Sequence, residues 1–146
     1  MSVIVAYRQD PYGEAALERG IEEALLRDLP LHVLHSVPVT EPGSASSARG
    51  QAASLSRREA ELERIADRAR GLGVPDVQTH LFLESRGEGQ FIHDLLETIR
   101  KTDASLVVIG LRDRSRVGKF VMGSRAQDVL LHVDCAVLGV KPSRAD

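Results

Sequence analysis

Tryptophan is absent from the 146 residues, and aromatic side chains make up only 3% of them. So sparse a set of rings argues against a stacking platform for single-stranded nucleic acid, which needs a ring for successive bases. Cys135 is the only cysteine, so no intrachain disulfide can form and no thiolate cluster can hold a metal. The histidines do not replace it. His32 and His35 fall in a strand-like stretch, His93 and His132 in helix-like ones, and none has the HExxH spacing of a metal-binding helix. No metal is expected. Long apolar runs are missing as well: the opening run from Met1 to Tyr7 is too short for a signal peptide or a span, and none later approaches about twenty residues. A cytoplasmic protein without membrane association is therefore expected. A net charge of −2 and a pI near 6.2 give no general affinity for polyanions, so nucleic acid is not an expected partner.

What is present suits one globular domain over residues 1–146, with 42% hydrophobic and 27% charged residues. A chain of this length buries roughly two-thirds of its unfolded surface without covalent staples. Ser2 to Tyr7 is β-branched and apolar, as a central parallel strand is. Asp10-Pro11 then supplies an N-cap and a proline at the first helical position, and Leu17, Ile21, Ala24 and Leu25 follow at helical spacing to about Arg27. Gly20 should weaken this helix by roughly 0.5–1 kcal/mol relative to Ala. A second strand runs from Leu29 to Val37, stopped by Pro38. Thr40 to Gly50, rich in small and turn-forming residues, reads as a loop. A second helix spans Gln51 to Gly71 on an inner stripe of Leu55, Leu62, Ile65, Ala66 and Ala69, with Gly71 and Gly73 ending it.

Alternation from Asp76 to Leu83 gives a third strand, towards an edge of the sheet. Phe91, Ile92, Leu95, Leu96 and Ile99 turn a third helix towards that sheet. Ala104 to Gly110 is the fourth strand, Ser124 to Val133 a fourth helix, and Ala136 to Val140 the fifth strand. Five strands alternating with four helices imply an α/β fold: an open, doubly wound parallel sheet with helices on both faces. Ligands bind such sheets beyond the carboxyl ends of the strands, where the strand order reverses.

The chemistry concentrates after the fourth strand. From Gly110 to Arg125, five cationic side chains (Arg112, Arg114, Arg116, Lys119 and Arg125) face the single carboxylate of Asp113, in a chain that is negative overall. Ser124 with Gln127 three residues on suggests a capping box at a helix start. A strand, a basic glycine-bearing loop and a helix N-terminus bring backbone N–H groups and a helix dipole onto one point, which suits a phosphate. Two readings of Gly123 and Ser124 stay open: a phosphate cradle, or close packing and a simple cap. The arginines divide likewise between ligand contacts and a solvated rim. Cys135, opening an apolar strand, reads as a small buried hydrophobe.

The pattern Gly110-x2-Asp113-x9-Gly123-Ser124, followed by Val133-Asp-Cys-Ala-Val-Leu-Gly-Val140-Lys141, resembles the C-terminal signature of universal stress proteins. Nucleotide-binding members of that family carry Gly-x2-Gly-x9-Gly-Ser/Thr. The resemblance extends over nearly the whole chain and implies the strand order 3-2-1-4-5, with the switch point between strands one and four. It implies that ATP or another adenine nucleotide is the ligand. Ala6, Arg8, Ser36 and Ile109 would line the base and ribose side, and Gly110, Gly123 and Ser124 the phosphates, with Arg112 and Arg125 among the neutralising cations. It also implies a homodimer, because strand 136–140 would otherwise expose an apolar edge.

Two positions depart from the family pattern. Asp113 replaces its middle glycine, and like charges about 4 Å apart cost on the order of 4 kcal/mol at an effective dielectric of 20. Arg8 stands where nucleotide-binding relatives usually carry Asp, and a guanidinium cannot accept a hydrogen bond. Three functions follow: a non-enzymatic stress-response regulator gated by a nucleotide; a dimeric interaction module whose arginines meet an acidic protein; and a slow nucleotide hydrolase. The last is disfavoured because Asp113 is the loop's only carboxylate for Mg²⁺. A flavoprotein of similar topology is disfavoured by the lack of a Ser/Thr-rich phosphate loop and of a ring placed to stack on flavin.

Overall fold

The strand that the rest of the molecule is built around is β1 (Ser2–Tyr7), whose Val3, Ile4 and Val5 are wholly removed from solvent. The computed structural model describes residues 1–38, 47–87, 89–112 and 122–143. The expected loop over residues 40–46, and Asp113, Arg114, Arg116 and Lys119, lie outside that set. After β1 come α1 (Pro11–Arg27), β2 (Leu31–Pro38), α2 (Ser47–Gly71), β3 (Val77–Glu84), α3 (Gln90–Thr102), β4 (Ala104–Gly110), α4 (Ser124–His132) and β5 (Ala136–Val140). The five strands form one sheet in the order β3-β2-β1-β4-β5, every pair parallel. This is the doubly wound α/β arrangement that the sequence implies.

Each face of the sheet carries its own core. On one, Val3, Val5, Tyr7, Leu31 and Val33 pack against Leu17 and Ile21 of α1 and Leu62, Ile65 and Ala69 of α2. On the other, Ile4, Leu34, Val107 and Ile109 meet Leu95 of α3 and Val129 of α4. Alternation along β1 divides its side chains between the two cores. Burying each such Val, Leu or Ile contributes about 1.5–3 kcal/mol.

Local chemistry sets most boundaries. Asp10 caps α1, its Oδ1 accepting from the Gly13 amide at 2.7 Å. Asp28 closes that helix in the left-handed region at φ 54°, and the Leu29 amide donates back to the Ala24 carbonyl at 3.0 Å. Leu29 therefore belongs to the cap, and β2 begins at Leu31 rather than at Leu29. Pro38 does not stop β2 but is its last residue, opposite Glu84. Helix α2 begins at Ser47, earlier than the expected Gln51, so 47–50 are helix rather than loop. Leu25 and Leu96, expected on inner faces, are 39% and 37% exposed.

Glycines set how closely the layers approach. Gly20, expected only to weaken α1, lies so near β1 that a Cβ there would sit 2.1 Å from Val5 Cγ2. A Cβ on Gly13 would fall 1.8 Å from the Arg8 carbonyl oxygen. The first turn of α1 therefore packs directly on the backbone leaving β1.

Candidate functional site

Strand order reverses between β1 and β4, and the chain leaving each strand walls one side of a cleft of about 310 Å³ at their carboxyl ends. Ala6 and Arg8 come from the β1 side, Ile109, Gly110 and Arg112 from the β4 side, and Ser36 from β2. Gly123, Ser124 and Arg125 close it from the start of α4. All nine residues singled out from the sequence thus line one cleft. Tyr12, Phe91 and Met122 line it too. No local pattern marks Tyr12 and Phe91, because α1 and α3 deliver them from outside the glycine-bearing segment.

The two walls approach closely. A Cβ on Gly110 would lie 2.4 Å from the Tyr12 carbonyl oxygen, so only glycine lets β4 end beneath the first turn of α1. Gly123 behaves differently. Its added Cβ would meet no described atom within 4 Å, so close packing on the described residues does not account for glycine there. Nor does Ser124 cap α4: Gly123 is the N-cap, extended at φ −65° and ψ 158°, with no side-chain cap bond. The Gln127 amide instead reaches the Met122 carbonyl at 2.9 Å. Among the described residues, helix α4 thus presents first-turn N–H groups with no side-chain acceptor, on the side where Gly123 leaves room. That is a positive, donor-rich surface for an anion.

Cations surround this surface, each held by a neighbour. Arg8 Nε lies 3.3 Å from Asp10 Oδ2. The guanidinium of Arg112 stands 5.6 Å from the centre of the Tyr12 ring. Arg125 pairs with Glu84 at the end of β3 and covers the Phe91 ring at 4.7 Å. The inner wall is apolar apart from Ser36, which is 9% exposed and whose Oγ bonds to no described group. An unpaired buried hydroxyl costs about 1–3 kcal/mol. Both oxygens of Asp10 are taken, one by the Gly13 amide and one by Arg8.

Behind the cleft, the Tyr7 hydroxyl contacts Glu14 Oε1 and Glu61 Oε1, both at 2.7 Å. Burial above all, then these two acceptors, holds its proton far beyond the usual phenol range. His35 Nδ1 lies 3.1 Å from the Tyr7 carbonyl. A carbonyl only accepts, so Nδ1 carries the proton and Nε2 is bare towards Arg58, 3.4 Å away. Among the described residues no cluster of three or more His, Cys, Asp or Glu is placed to hold a metal, and no helix is long and apolar enough to cross a membrane.

Known proteins share this architecture. The model of the Universal stress protein family matches residues 1–141. A universal stress protein of Mycolicibacterium smegmatis is 35% identical over 141 residues, covering 96% of this chain and 97% of that protein. The solved universal stress protein of Archaeoglobus fulgidus is 28% identical with a TM-score of 0.70, covering 97% of this chain and 98% of that one. A structure of the Archaeoglobus fulgidus universal stress protein in complex with dAMP is 25% identical, with a TM-score of 0.66 and the same coverage.

Proposed function

Because the chain belongs to the universal stress protein family, we propose that it acts in the cytoplasm as a stress-response regulator that binds an adenine nucleotide, such as ATP, in the cleft between β1 and β4. One observation carries this reading: the N-terminus of α4 lacks a side-chain cap and opens through Gly123 onto a cleft whose inner wall holds an unpartnered Ser36 hydroxyl. The two ends match a nucleotide. Phosphate oxygens would meet the α4 amides and the cations, and a nucleoside would meet the apolar wall and Ser36. The dAMP complex of the Archaeoglobus fulgidus relative supports the same ligand class.

Binding rather than hydrolysis is supported by the carboxylate inventory. Asp10 is the acid among the described lining residues, with a partner already on each oxygen, and a single carboxylate makes a thin Mg²⁺ site. Strand β5 lies at the edge of the sheet with Val137, Leu138 and Val140 half-buried, and Leu130 and Leu131 of α4 are 50% and 76% exposed. An unpaired apolar edge of this kind supports homodimerisation along residues 136–140.

Calorimetry with ATP, AMP and cyclic AMP tests the nucleotide reading. Saturable heat is expected for at least one, weakened about tenfold or more by Gly123→Val, whose side chain would occupy the space beside the α4 amides. No heat from any of the three would reject it, and steady ADP release would replace it with hydrolysis. Sedimentation at tens of micromolar should show a dimer; a monomer alone would reject the edge pairing.

A further inference from the structure

A second cavity, of about 430 Å³, lies against α2, lined by Gln9, Ser54, Arg57, Arg58, Glu61 and Arg64. Apart from Gln9, these residues recur along one stripe of the helix, three or four positions apart. Glu61 stands four residues after Arg57, three after Arg58 and three before Arg64, where it would ordinarily neutralise one of them. It does not. Its Oε1 is turned inward to the Tyr7 hydroxyl at 2.7 Å, and among the described residues none of the three arginines has a carboxylate partner, whereas Arg19, Arg27, Arg68 and Arg70 each do. Arg58 is instead steadied by a neutral group: it donates to Gln9 Oε1 at 2.7 Å. That contact occupies the Gln9 amide oxygen, and no described group takes its nitrogen donors.

We propose that this cavity is an anion site, separate from the nucleotide cleft, for a small phosphate-bearing metabolite. Three guanidinium groups outweigh the single Glu61 charge, and their planar forks fit the oxygens of a phosphate dianion two at a time. The Ser54 hydroxyl and the Gln9 amide add neutral donors. The cavity has room for a phosphate group with an organic portion or a second phosphate. The assignment does not depend on nucleotide binding in the cleft, since the two share no described lining residue.

Inorganic pyrophosphate is the probe, followed by amide resonances of the full chain at low ionic strength. Saturable shifts are expected at Gln9 and across residues 54–64. They should weaken about tenfold in Arg57→Gln/Arg64→Gln, which removes two charge-assisted contacts, and persist in Gly123→Val. Arg57 and Arg64 are exposed, so the double variant should melt with the parent. Should it fail to fold, each single Arg→Gln change should still weaken the α2 shifts severalfold. Shifts confined to residues 122–126, α2 shifts that never saturate, or α2 shifts untouched by the arginine changes would each overturn the assignment.

Discussion

The arginines of the cleft and the arginines of α2 are alike in kind and opposite in circumstance. Arg8 and Arg125 rest on Asp10 and Glu84, while Arg57, Arg58 and Arg64 surround a glutamate that has turned away from them. A carboxylate beside a guanidinium fixes where it sits before any ligand arrives, and the ligand must then share it. Where the acid is engaged elsewhere, the positive charge stays available. The difference is made neither by composition nor by helical spacing, but by one hydroxyl arriving from β1.

The largest way to break the comparison is to disturb the backbone that separates the two groups. Gly13→Ala places a methyl group 1.8 Å from the Arg8 carbonyl oxygen, so α1 or the segment after β1 must shift, at about 3 kcal/mol. A thermal melt should fall by about 10 °C; a loss below about 1 kcal/mol would show that the Arg8 backbone yields freely. Tyr7→Phe is gentler and sharper. It strips Glu14 and Glu61 of their donor at about 1–2 kcal/mol, read by urea denaturation. It also frees Glu61 to turn to Arg57 or Arg64, so pyrophosphate binding at α2 should weaken severalfold while nucleotide binding holds. Unchanged pyrophosphate affinity would show that the hydroxyl does not keep Glu61 away.

The smallest effect concerns His35, which lies between the two groups. Burial is the main cause lowering its proton affinity; Arg58 and Arg125 lower it further, against the Tyr7 carbonyl and Glu61. The unfolded chain takes up this proton near pH 6.5 and the folded chain only below that. Stability from this residue is therefore complete above about pH 6.5 and is lost as the pH falls from there towards the folded value. His32 and His80, whose Nδ1 and Nε2 atoms lie 3.0 Å apart, add to the same trend: burial lowers both, and the charge of His80 lowers His32 further. The urea midpoint should drop between pH 7 and 5. Arg58→Gln should raise the His35 titration midpoint, read from its ring protons; an unmoved midpoint would detach His35 from α2.

Much of this architecture is legible in the chain. Ala104–Gly110 and Ala136–Val140 are uninterrupted apolar runs between turn signals, and Asp10-Pro11 marks the start of α1 unambiguously, so these elements fall where pattern puts them. The misses are contacts between distant residues. Leu29 resembles a strand residue until the αL turn at Asp28 draws it into the helix cap. Ser124 has the chemistry of a cap, yet the extended backbone at Gly123 moves the cap one residue earlier. Gly20 looks like a weak point in isolation, and only the packing of Gly13, Gly20 and Gly110 against Arg8, Val5 and Tyr12 shows why a side chain fails at each. In the cleft, Arg8 and Ser36 are placed by the family resemblance and Arg112 by the basic run after β4, whereas the partners that hold Arg8 and Arg125 come from the tertiary fold.

Pairing of β1 with β4 joins Val3 to Leu106 and Val5 to Val108, so the two walls of the cleft are written about a hundred residues apart. During synthesis the amino-terminal wall leaves the ribosome long before its counterpart exists, and no early portion of the chain holds both. A two-walled cleft therefore exists only in a molecule that has completed β4, and a copy cut short after its first three strands would carry half of it.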